Sequence, residues 1–432
     1  MIEIKEHITN TIVVCPVLQN LKKSMASENR LNEAVGLCLA IRLNVVFSSL
    51  AYVKEIKPAG YFSKGYIEKL LQIAQDKAAD LLVVDAALSP VQQRFLENAL
   101  RIKVIDRTAL ILEIFGERAQ TSEGKLQVEL AHLTYQRSRL VRGWTHLERQ
   151  RGGAGFLGGP GEKQIELDRR LIDDKIVKIK KELEKVKNTR GLQRANRQKV
   201  PYPIVALVGY TNAGKSSLFN ALTKDNVMVA DMLFATLDPV LRKIRLKTGV
   251  DIVLSDTVGF ISDLPHELVM AFRSTLEEVL EAEMIVHVLD VSNQDCPKQR
   301  ADVLDVLHKL GLKNIEYAPN YIEVFNKTDL LSSEEQSALF LKTKNKNAVS
   351  VSALTGAGCQ ALLELILQRL TKGDESLLFE IPIENGKAIN LIYQNARVVN
   401  TTQNENSIII SAKTSKIKAK KLKSLLKEFV LH

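Results

Sequence analysis

The stretch GYTNAGKSS, residues 209–217, has the spacing Gly-x-x-x-x-Gly-Lys-Ser of a loop that binds phosphate groups. It follows an apolar run and precedes apolar residues at helical spacing, so we expect the order strand, loop and helix. Backbone N–H groups would face the phosphates, while Lys215 adds a positive charge and Ser216 offers a hydroxyl to Mg²⁺. A glycine-rich turn with a solvated lysine is the alternative interpretation. The predicted nucleotide contacts in this loop are Gly209, Tyr210, Thr211, Asn212, Ala213, Gly214, Lys215, Ser216 and Ser217.

Nucleotide chemistry also needs an acid at the end of a second strand, and the stretch VDIVLSDTVGF, residues 250–260, supplies one. Its apolar run predicts a buried strand that ends at Asp256, and this carboxylate would hold Mg²⁺ through water. The backbone N–H of Gly259 is expected to meet a terminal phosphate. Thr257 and Val258 complete the predicted contacts of this segment.

The stretch MLFATLDP, residues 232–239, lies between these two segments. Thr236 is the predicted second Mg²⁺ ligand, and it forms the predicted catalytic set together with Lys215 and Gly259. The order of the segments favours this role over that of an ordinary loop threonine. The predicted nucleotide contacts in this stretch are Phe234, Ala235, Thr236, Leu237 and Asp238.

The choice of base is predicted from YIEVFNKTDLL, residues 321–331, where a further apolar strand is followed by Asn-Lys-Thr-Asp. The Asp329 carboxylate can accept hydrogen bonds from the ring N–H and the amino group of guanine. Adenine lacks that pair of donors, so Asp329 would specify guanine. Asn326 is expected to hold the loop, and the stem of Lys327 to cover the base. The remaining predicted contacts are Thr328, Ser352, Ala353 and Leu354, with the Ala353 N–H facing the guanine oxygen.

Each of these short motifs is also compatible with an ordinary turn at a strand end, but their order favours a GTP site. The set resembles the translation-factor-related GTPases of the Obg and HflX branch. The stretch WTHLERQRGGAGFLGGPGEKQIELDRR, residues 144–170, is similar to the signature of the HflX family, except that Lys163 stands where a small hydroxyl residue is expected. The C-terminal segment matches that family only loosely. The resemblance implies a ribosome-associated GTPase that binds the large subunit and helps to split or rescue stalled ribosomes.

Phe260 follows Gly259 at the position where Ras-like GTPases carry a glutamine that orients the attacking water. A phenyl ring cannot align water, so slow intrinsic hydrolysis is predicted, with stimulation by the large ribosomal subunit. Asn212 matches an asparagine that coordinates K⁺ in some related GTPases, so K⁺ is a second candidate activator. A packed aromatic is the structural interpretation of Phe260, and it is compatible with either activator.

The alternation of apolar runs and amphipathic stretches predicts a multidomain α/β chain. We expect an N-terminal α/β domain at 1–120 and an antiparallel helical hairpin at 121–200 with its glycine-rich tip at 152–162. A P-loop GTPase domain of Ras-like type, with a mostly parallel sheet, is expected at 201–371, and a small C-terminal α+β domain at 372–432. The hairpin is predicted from two apolar seams: Leu126, Leu130, Leu133, Leu140, Trp144 and Leu147, and then Ile172, Ile176, Ile179, Leu183 and Val186.

The composition is that of a globular protein, with 45% apolar and 25% charged residues, and the net charge of +10 favours an anionic partner. No apolar run approaches the roughly 18 residues of a membrane span, and no secretory signal is evident. We therefore expect a cytoplasmic monomer. The four cysteines are scattered, which predicts reduced thiols.

The basic residues of the hairpin and the tip with Phe156 predict a docking loop for ribosomal RNA. Solvated helix faces and a contact with a neighbouring domain are the alternatives for this region. The basic C-terminal helix, with Lys413, Lys420 and Lys423 among its lysines, is a weaker RNA candidate. Asp85, between an apolar strand and a helix, shows no partner in the sequence and is predicted to cap the helix.

Two competing functions follow from the same residues. The first is a GTP-sensing RNA-binding module whose hydrolysis is incidental, and Phe260 supports it. The second is a GTPase that acts with a tRNA-modifying enzyme, which Asn212 would allow. The domain layout disfavours the second, because no cysteine-bearing or folate-handling domain is evident.

Overall fold

The structure is a computed structural model. It describes the backbone of residues 9–18, 25–150, 160–197, 202–224, 234, 239–246, 250–262, 277–343, 347–372, 374–404, 406–414 and 416–431. Side chains are described in the same ranges except at 25–26, 141–150, 160–165, 187–197, 277, 342, 397 and 416–418.

The N-terminal part forms a four-stranded parallel sheet in the order β2-β1-β3-β4. Helices cover both of its faces, so its strands are buried and read as continuous apolar runs. We call this part the N-terminal unit. Its elements are β1 Asn10–Leu18, α1 Met25–Ala40, β2 Asn44–Val53, α2 Lys64–Asp76, β3 Leu81–Val84, α3 Pro90–Leu100, β4 Lys103–Asp106 and α4 Arg107–Arg118.

Two long helices, α5 Ser122–Gln150 and α6 Pro160–Arg197, follow and pack against each other. The predicted seams meet along the described part, and Arg137, which interrupts the first seam, pairs with Asp173 at 3.1 Å. The hairpin predicted from the apolar spacing is therefore confirmed, while Leu140 is half-buried and Trp144 and Leu147 lie outside the described side chains. The seam residues in contact are Leu126, Leu130, Leu133, Ile172, Ile176, Ile179 and Leu183.

A six-stranded sheet in the order β10-β9-β8-β5-β7-β6 forms the central part, which we call the central unit. All its pairings are parallel except that of the edge strand β6 with β7. The prediction of a mostly parallel sheet is confirmed. The elements are β5 Ile204–Gly209, α7 Lys215–Thr223, β6 Val240–Arg245, β7 Asp251–Asp256, α8 Glu277–Leu280, β8 Met284–Asp290, α9 Cys296–Lys309, β9 Tyr321–Asn326, α10 Ser333–Thr343, β10 Ala348–Ser350 and α11 Cys359–Leu370.

The C-terminal part is a four-stranded antiparallel sheet in the order β12-β13-β11-β14, with two helices packed on one face. The chain order strand, helix, strand, strand, helix, strand with this pairing is the split β-α-β, or ferredoxin-like, arrangement. A small α+β unit was expected here, and the topology refines that prediction. The elements are β11 Glu375–Pro382, α12 Gly386–Asn395, β12 Arg397–Gln403, β13 Ser407–Thr414, α13 Lys416–Leu425 and β14 Val430–Leu431.

One continuous cluster of buried apolar side chains joins the N-terminal unit to the central unit. Phe115 of α4 meets Phe234 edge to face with 4.7 Å between ring centroids, and Val258 and Phe260 belong to the same cluster. Each large apolar side chain buried there stabilises the contact by roughly 1.5–3 kcal/mol. The two units therefore share a core beside the predicted phosphate loop.

No helix among the described residues is long and apolar enough to span a membrane. All four cysteines are free thiols, as predicted, and Cys15, Cys38 and Cys359 are buried.

His287 of β8 is fully buried, and its Nδ1 lies 2.6 Å from the hydroxyl of Tyr321. Burial lowers the pKa of His287 to about 3, and the charges of Arg300 and Lys215 act in the same direction. The folded protein therefore keeps this imidazole neutral where an unfolded chain, with a histidine pKa of about 6.5, binds a proton. The stabilising contribution is complete above pH 6.5 and is lost as the pH falls from there towards 3.

We expect the free energy of unfolding to fall by about 1.4 kcal/mol per pH unit through this one group below pH 6. Denaturant unfolding between pH 7 and pH 5 should show a shallower pH dependence in His287→Gln than in the parent protein. The matched control is His308→Gln, because His308 lies at the surface beside Glu316. Equal slopes for His287→Gln and the parent would contradict the prediction.

Candidate nucleotide-binding site

The predicted phosphate loop joins the end of β5 to the start of α7, at the carboxyl edge of the central sheet. Lys215 is the first residue of α7, and its Nζ donates to the carbonyl oxygens of Tyr210, at 2.9 Å, and Gly209, at 3.2 Å. Burial lowers the pKa of Lys215 to about 8, against the opposing effect of Asp256. The ammonium group is thus held inside the loop, where a nearby anionic phosphate would raise its pKa again and so favour its charged form.

Gly214 ends the loop at φ +87°, a left-handed conformation that favours glycine. A Cβ at this position would lie 2.2 Å from the amide nitrogen of Asn326. That amide donates to the Ala213 carbonyl at 2.9 Å, and its oxygen accepts from the Ala353 N–H at 3.0 Å. Asn326 therefore connects the phosphate loop to the two loops predicted to bind the base.

The predicted metal-binding side chains of Ser216 and Asp256 are adjacent in the structure. Asp256 ends β7 and is 1% exposed, and the Ser216 hydroxyl donates to its Oδ2 at 2.7 Å. A hydroxyl and a carboxylate at this separation form a donor set of oxygen atoms that suits Mg²⁺.

Gly259 approaches the phosphate loop so closely that a side chain would not fit. A Cβ there would lie 2.9 Å from Thr211 Cγ2, 3.0 Å from Thr211 Cα and 3.1 Å from Lys215 Nζ. The next residue is paired with the loop through its backbone, because Phe260 N–H donates to Gly209 and its carbonyl accepts from Thr211. The Gly259 backbone and the Lys215 ammonium group therefore converge on one point.

The predicted base-binding residues lie at the ends of β9 and β10. The Ser352 hydroxyl donates to Asp329 Oδ1 at 2.5 Å, and the Thr328 hydroxyl donates to the carbonyl of Val351 at 2.9 Å. Lys327 pairs with Asp290 at 2.7 Å, which fixes the direction of its aliphatic stem. The structure therefore places the Asp329 carboxylate and the Lys327 stem together, as base recognition requires.

Most of the predicted contacts among the described residues line one open cleft of about 760 Å³, although Asp256, Thr328 and Ser352 do not border it. The cleft runs from the phosphate loop to the base-binding loops and includes Ser217, Thr257 and the strongly exposed Leu354. Five further residues line it that the motifs did not indicate, although each lies within a few positions of one. They are Asn220, Ala221, Leu330, Thr355 and Gly356.

Two predicted nucleotide contacts turn their side chains towards the N-terminal unit. The hydroxyl of Tyr210 donates to Glu33 at 2.7 Å, and the ring of Phe234 packs on Phe115 although it also borders the cleft. Of the atoms of Tyr210, only those of the backbone therefore remain on the phosphate-binding side of the loop. The predicted contacts Ala235, Thr236, Leu237 and Asp238 lie outside the described residues, as does the tip 152–159.

The predicted capping role of Asp85 is wrong. Ser89 caps α3 with its hydroxyl, whereas Asp85 is 2% exposed and pairs with Arg30 at 2.7 Å and Arg107 at 2.5 Å. These two arginines outweigh the effect of burial and hold the pKa of Asp85 below its usual value. Asp85 is therefore a buried ion-pair partner.

Arg139, one of the basic residues of the hairpin, anchors the hairpin to the N-terminal unit, which agrees with the alternative of a contact with a neighbouring domain for this residue. Its guanidinium donates to the Leu88 carbonyl, to Asp106, to Tyr135 and to Gln93. In the C-terminal helix α13, which is the weaker RNA candidate, Lys420 and Lys421 are exposed, while Lys423 pairs with Glu375.

A mostly parallel sheet with a phosphate loop, an acid at the end of β7 and a guanine-type loop after β9 defines a P-loop GTPase. Four family models match the chain in succession. The GTP-binding GTPase N-terminal model covers residues 28–116, and the GTP-binding GTPase Middle Region model covers 118–197. The 50S ribosome-binding GTPase model covers 204–327, and the HflX C-terminal domain model covers 338–429.

Curated relatives agree with these matches. A GTPase HflX of Magnetococcus marinus is 47% identical over 88% of this chain and 87% of its own length. The GTPase HflX of Escherichia coli is 44% identical over 78% of each chain. The chain belongs to the HflX family of GTPases. It binds and hydrolyses GTP.

The solved structure of SsGBP in complex with GDP has the same overall fold. It superposes with a TM-score of 0.50 at 23% sequence identity and covers 84% of this chain and 99% of its own length.

Proposed function

We propose that the chain is a GTP-driven switch that binds the large ribosomal subunit through its rRNA and acts as a cytoplasmic monomer. It would split or rescue stalled ribosomes or assist in the biogenesis of the subunit. The match of residues 204–327 to the 50S ribosome-binding GTPase family supports the choice of partner. The burial of Phe260 is the observation that supports the proposal of a switch.

Phe260 stands next to Gly259 and is 3% exposed within the cluster that joins the two units. A ring held there cannot orient the attacking water. Among the described residues that line the cleft, none supplies a glutamine in its place. Hydrolysis would therefore depend on a group or an ordering effect brought by a partner, which makes turnover report on ribosome binding.

Mg²⁺ would be held by the Ser216 hydroxyl and, through water, by Asp256, with Thr236 as a further ligand. The 2.7 Å contact of the first two side chains supports this assignment. The metal would neutralise charge on the outer phosphates.

K⁺ is the second candidate activator, and Asn212 would coordinate it. Asn212 is exposed at φ +58° in the phosphate loop and borders the nucleotide cleft. A bound cation there would add positive charge near the phosphates, as an arginine finger does in other GTPases.

The test is GTP turnover by the purified protein with and without large ribosomal subunits, in K⁺ and in Na⁺. We expect subunits to raise the turnover number by about 10²-fold or more, by analogy with the effect of activators on other GTPases. Lys215→Ala is the blank, because it removes the cation that the phosphates need. Equal turnover with and without subunits would contradict the ribosome-activated switch.

The K⁺ arm tests Asn212 separately. Faster turnover in K⁺ than in Na⁺, abolished by Asn212→Ala, would assign part of the activation to the cation. Tight GTP binding without stimulation under any of these conditions would instead favour the GTP-sensing module with incidental hydrolysis, which the burial of Phe260 equally allows.

A further inference from the structure

Four residues form a closed ring of hydrogen bonds where the N-terminal unit meets the phosphate loop. Glu33 of α1 and Arg107 of α4 come from the N-terminal unit, Tyr210 is the second residue of the loop, and Ser262 follows the Gly259 segment. Arg107 donates to Glu33 at 2.5 Å, Tyr210 donates to Glu33 at 2.7 Å, and Arg107 donates to the Ser262 carbonyl at 3.2 Å. The Tyr210 hydroxyl lies 2.9 Å from Ser262 N and 3.0 Å from Ser262 Oγ, which closes the ring.

The single proton of the Tyr210 hydroxyl fixes the direction of these bonds. A phenol has one proton to donate and two lone pairs. The proton goes to the Glu33 carboxylate, so both the N–H and the hydroxyl of Ser262 donate to Tyr210. Burial and the charge of Glu33 raise the pKa of Tyr210, so the phenol keeps that proton. All three hydrogen-bonding positions of the hydroxyl are thus occupied.

Arg107 makes the anchor of this ring rigid. Its side chain is 4% exposed and is paired with Asp85 as well as with Glu33, both at 2.5 Å. The two carboxylates outweigh the effect of burial and raise the pKa of Arg107. A fully desolvated, doubly paired guanidinium is costly to displace, because any shift would leave buried charge without a partner.

The ring acts on a segment that is already attached to the phosphate loop. Phe260 N–H donates to the Gly209 carbonyl at 3.1 Å, and Thr211 N–H donates to the Phe260 carbonyl at 2.7 Å. Backbone bonds therefore hold Phe260, and the Tyr210 hydroxyl and Arg107 hold Ser262. Gly259, which directly precedes Phe260, is therefore held beside Lys215.

We propose that Tyr210 is a positioning residue for GTP: its hydroxyl, anchored by Glu33, acts together with Arg107 to hold the segment 259–262 so that the Gly259 N–H faces the terminal phosphate. GDP has no such phosphate, so the ring favours GTP over GDP. Preorganised donors gain their effect by avoiding reorganisation when the ligand binds. This inference rests on GTP binding by the family and is independent of the proposed ribosomal role.

The test is the ratio of the Kd for a non-hydrolysable GTP analogue to the Kd for GDP, measured with Mg²⁺ on the full-length protein without ribosomes. Tyr210→Phe keeps the packing of the aromatic side chain and removes only the hydroxyl. We expect this ratio to rise about tenfold and the basal kcat to fall by a similar factor, since one buried bond network is worth about a factor of ten. The affinity for GDP should stay within about twofold.

Glu33→Gln should move the same ratio in the same direction by about threefold, because an amide oxygen is a weaker acceptor than a carboxylate. The double variant Glu33→Gln with Tyr210→Phe should match Tyr210→Phe alone, since both changes break one ring. The matched control is Asn29→Ala, which removes a 2.8 Å hydrogen bond to Asp295 elsewhere in the same contact. It should leave the ratio unchanged.

Thermal denaturation of each variant first establishes that it is folded. An unchanged ratio in both Tyr210→Phe and Glu33→Gln would overturn the proposal, as would additive effects in the double variant. Equal loss of affinity for both nucleotides would also overturn it, because the ring would then support the loop without sensing the terminal phosphate. This test uses no ribosomes. A failure of the positioning role of Tyr210 can therefore be distinguished from a failure of the proposed ribosomal role.

Discussion

Replacing Asp329 with asparagine is expected to exchange the base preference of the protein from guanine to xanthine. Asp329 Oδ1 accepts one hydrogen bond from Ser352, and a carboxylate retains several further acceptor positions for the two N–H groups of guanine. An asparagine offers one acceptor and one NH₂ donor group, which matches the ring N–H and the 2-oxo group of xanthine. In Asp329→Asn the amino group of guanine faces a donor instead.

We expect the affinity for GTP to fall about 10³-fold in Asp329→Asn, because an unpaired buried donor is penalised heavily at such sites. XTP should bind and be hydrolysed in its place. Competition titrations with GTP and XTP measure both effects. Asp305→Asn is the matched control, since it makes the same charge change on the exposed face of α9. Retention of GTP binding by Asp329→Asn, with no gain for XTP, would contradict the assigned role.

The fold class and the order of motifs could be predicted from the sequence because both depend on patterns of residues that are close together in the chain. A parallel sheet needs buried apolar strands, and the phosphate loop, the Asp256 segment and the base-binding motifs each come at the end of such a strand. The position of Asp256 directly after its apolar run sufficed to place it at the sheet edge, where it meets Ser216 at 2.7 Å. The helical spacing of Leu130 and Ile176 likewise predicted two helices that face each other.

Contacts between distant segments were not predictable in this way. Asp85 looked like a helix cap because its partners Arg30 and Arg107 lie 55 and 22 positions away in the chain. Nothing in the local sequence distinguishes a capping aspartate from one that forms ion pairs with two arginines distant in the chain. The same reason explains why Tyr210 was predicted as a nucleotide contact, although its hydroxyl bonds to Glu33, 177 residues earlier.

Replacing Gly259 with alanine is expected to slow GTP hydrolysis strongly while sparing GDP binding. The added Cβ would lie 3.0 Å from the Cα of Thr211, a backbone atom of the phosphate loop, and 3.1 Å from Lys215 Nζ. Neither the loop backbone nor a lysine held by two carbonyls can yield cheaply, so the segment at 259 must move away. The N–H predicted to meet the terminal phosphate moves with it, and the loss of one such donor lowers kcat by about 10²–10³-fold.

Single-turnover GTP hydrolysis and GDP titration measure the two effects of Gly259→Ala separately. The matched control is Gly65→Ala, because Gly65 lies in α2 and an added Cβ there meets no atom within 4 Å. Alanine also suits a helix better than glycine, so Gly65→Ala should leave activity unchanged and raise stability by roughly 0.5–1 kcal/mol. Hydrolysis at the parent rate in Gly259→Ala would show that cleavage of the terminal phosphate does not depend on the position of this segment. The convergence of Gly259 and Lys215 would then be a feature of packing alone.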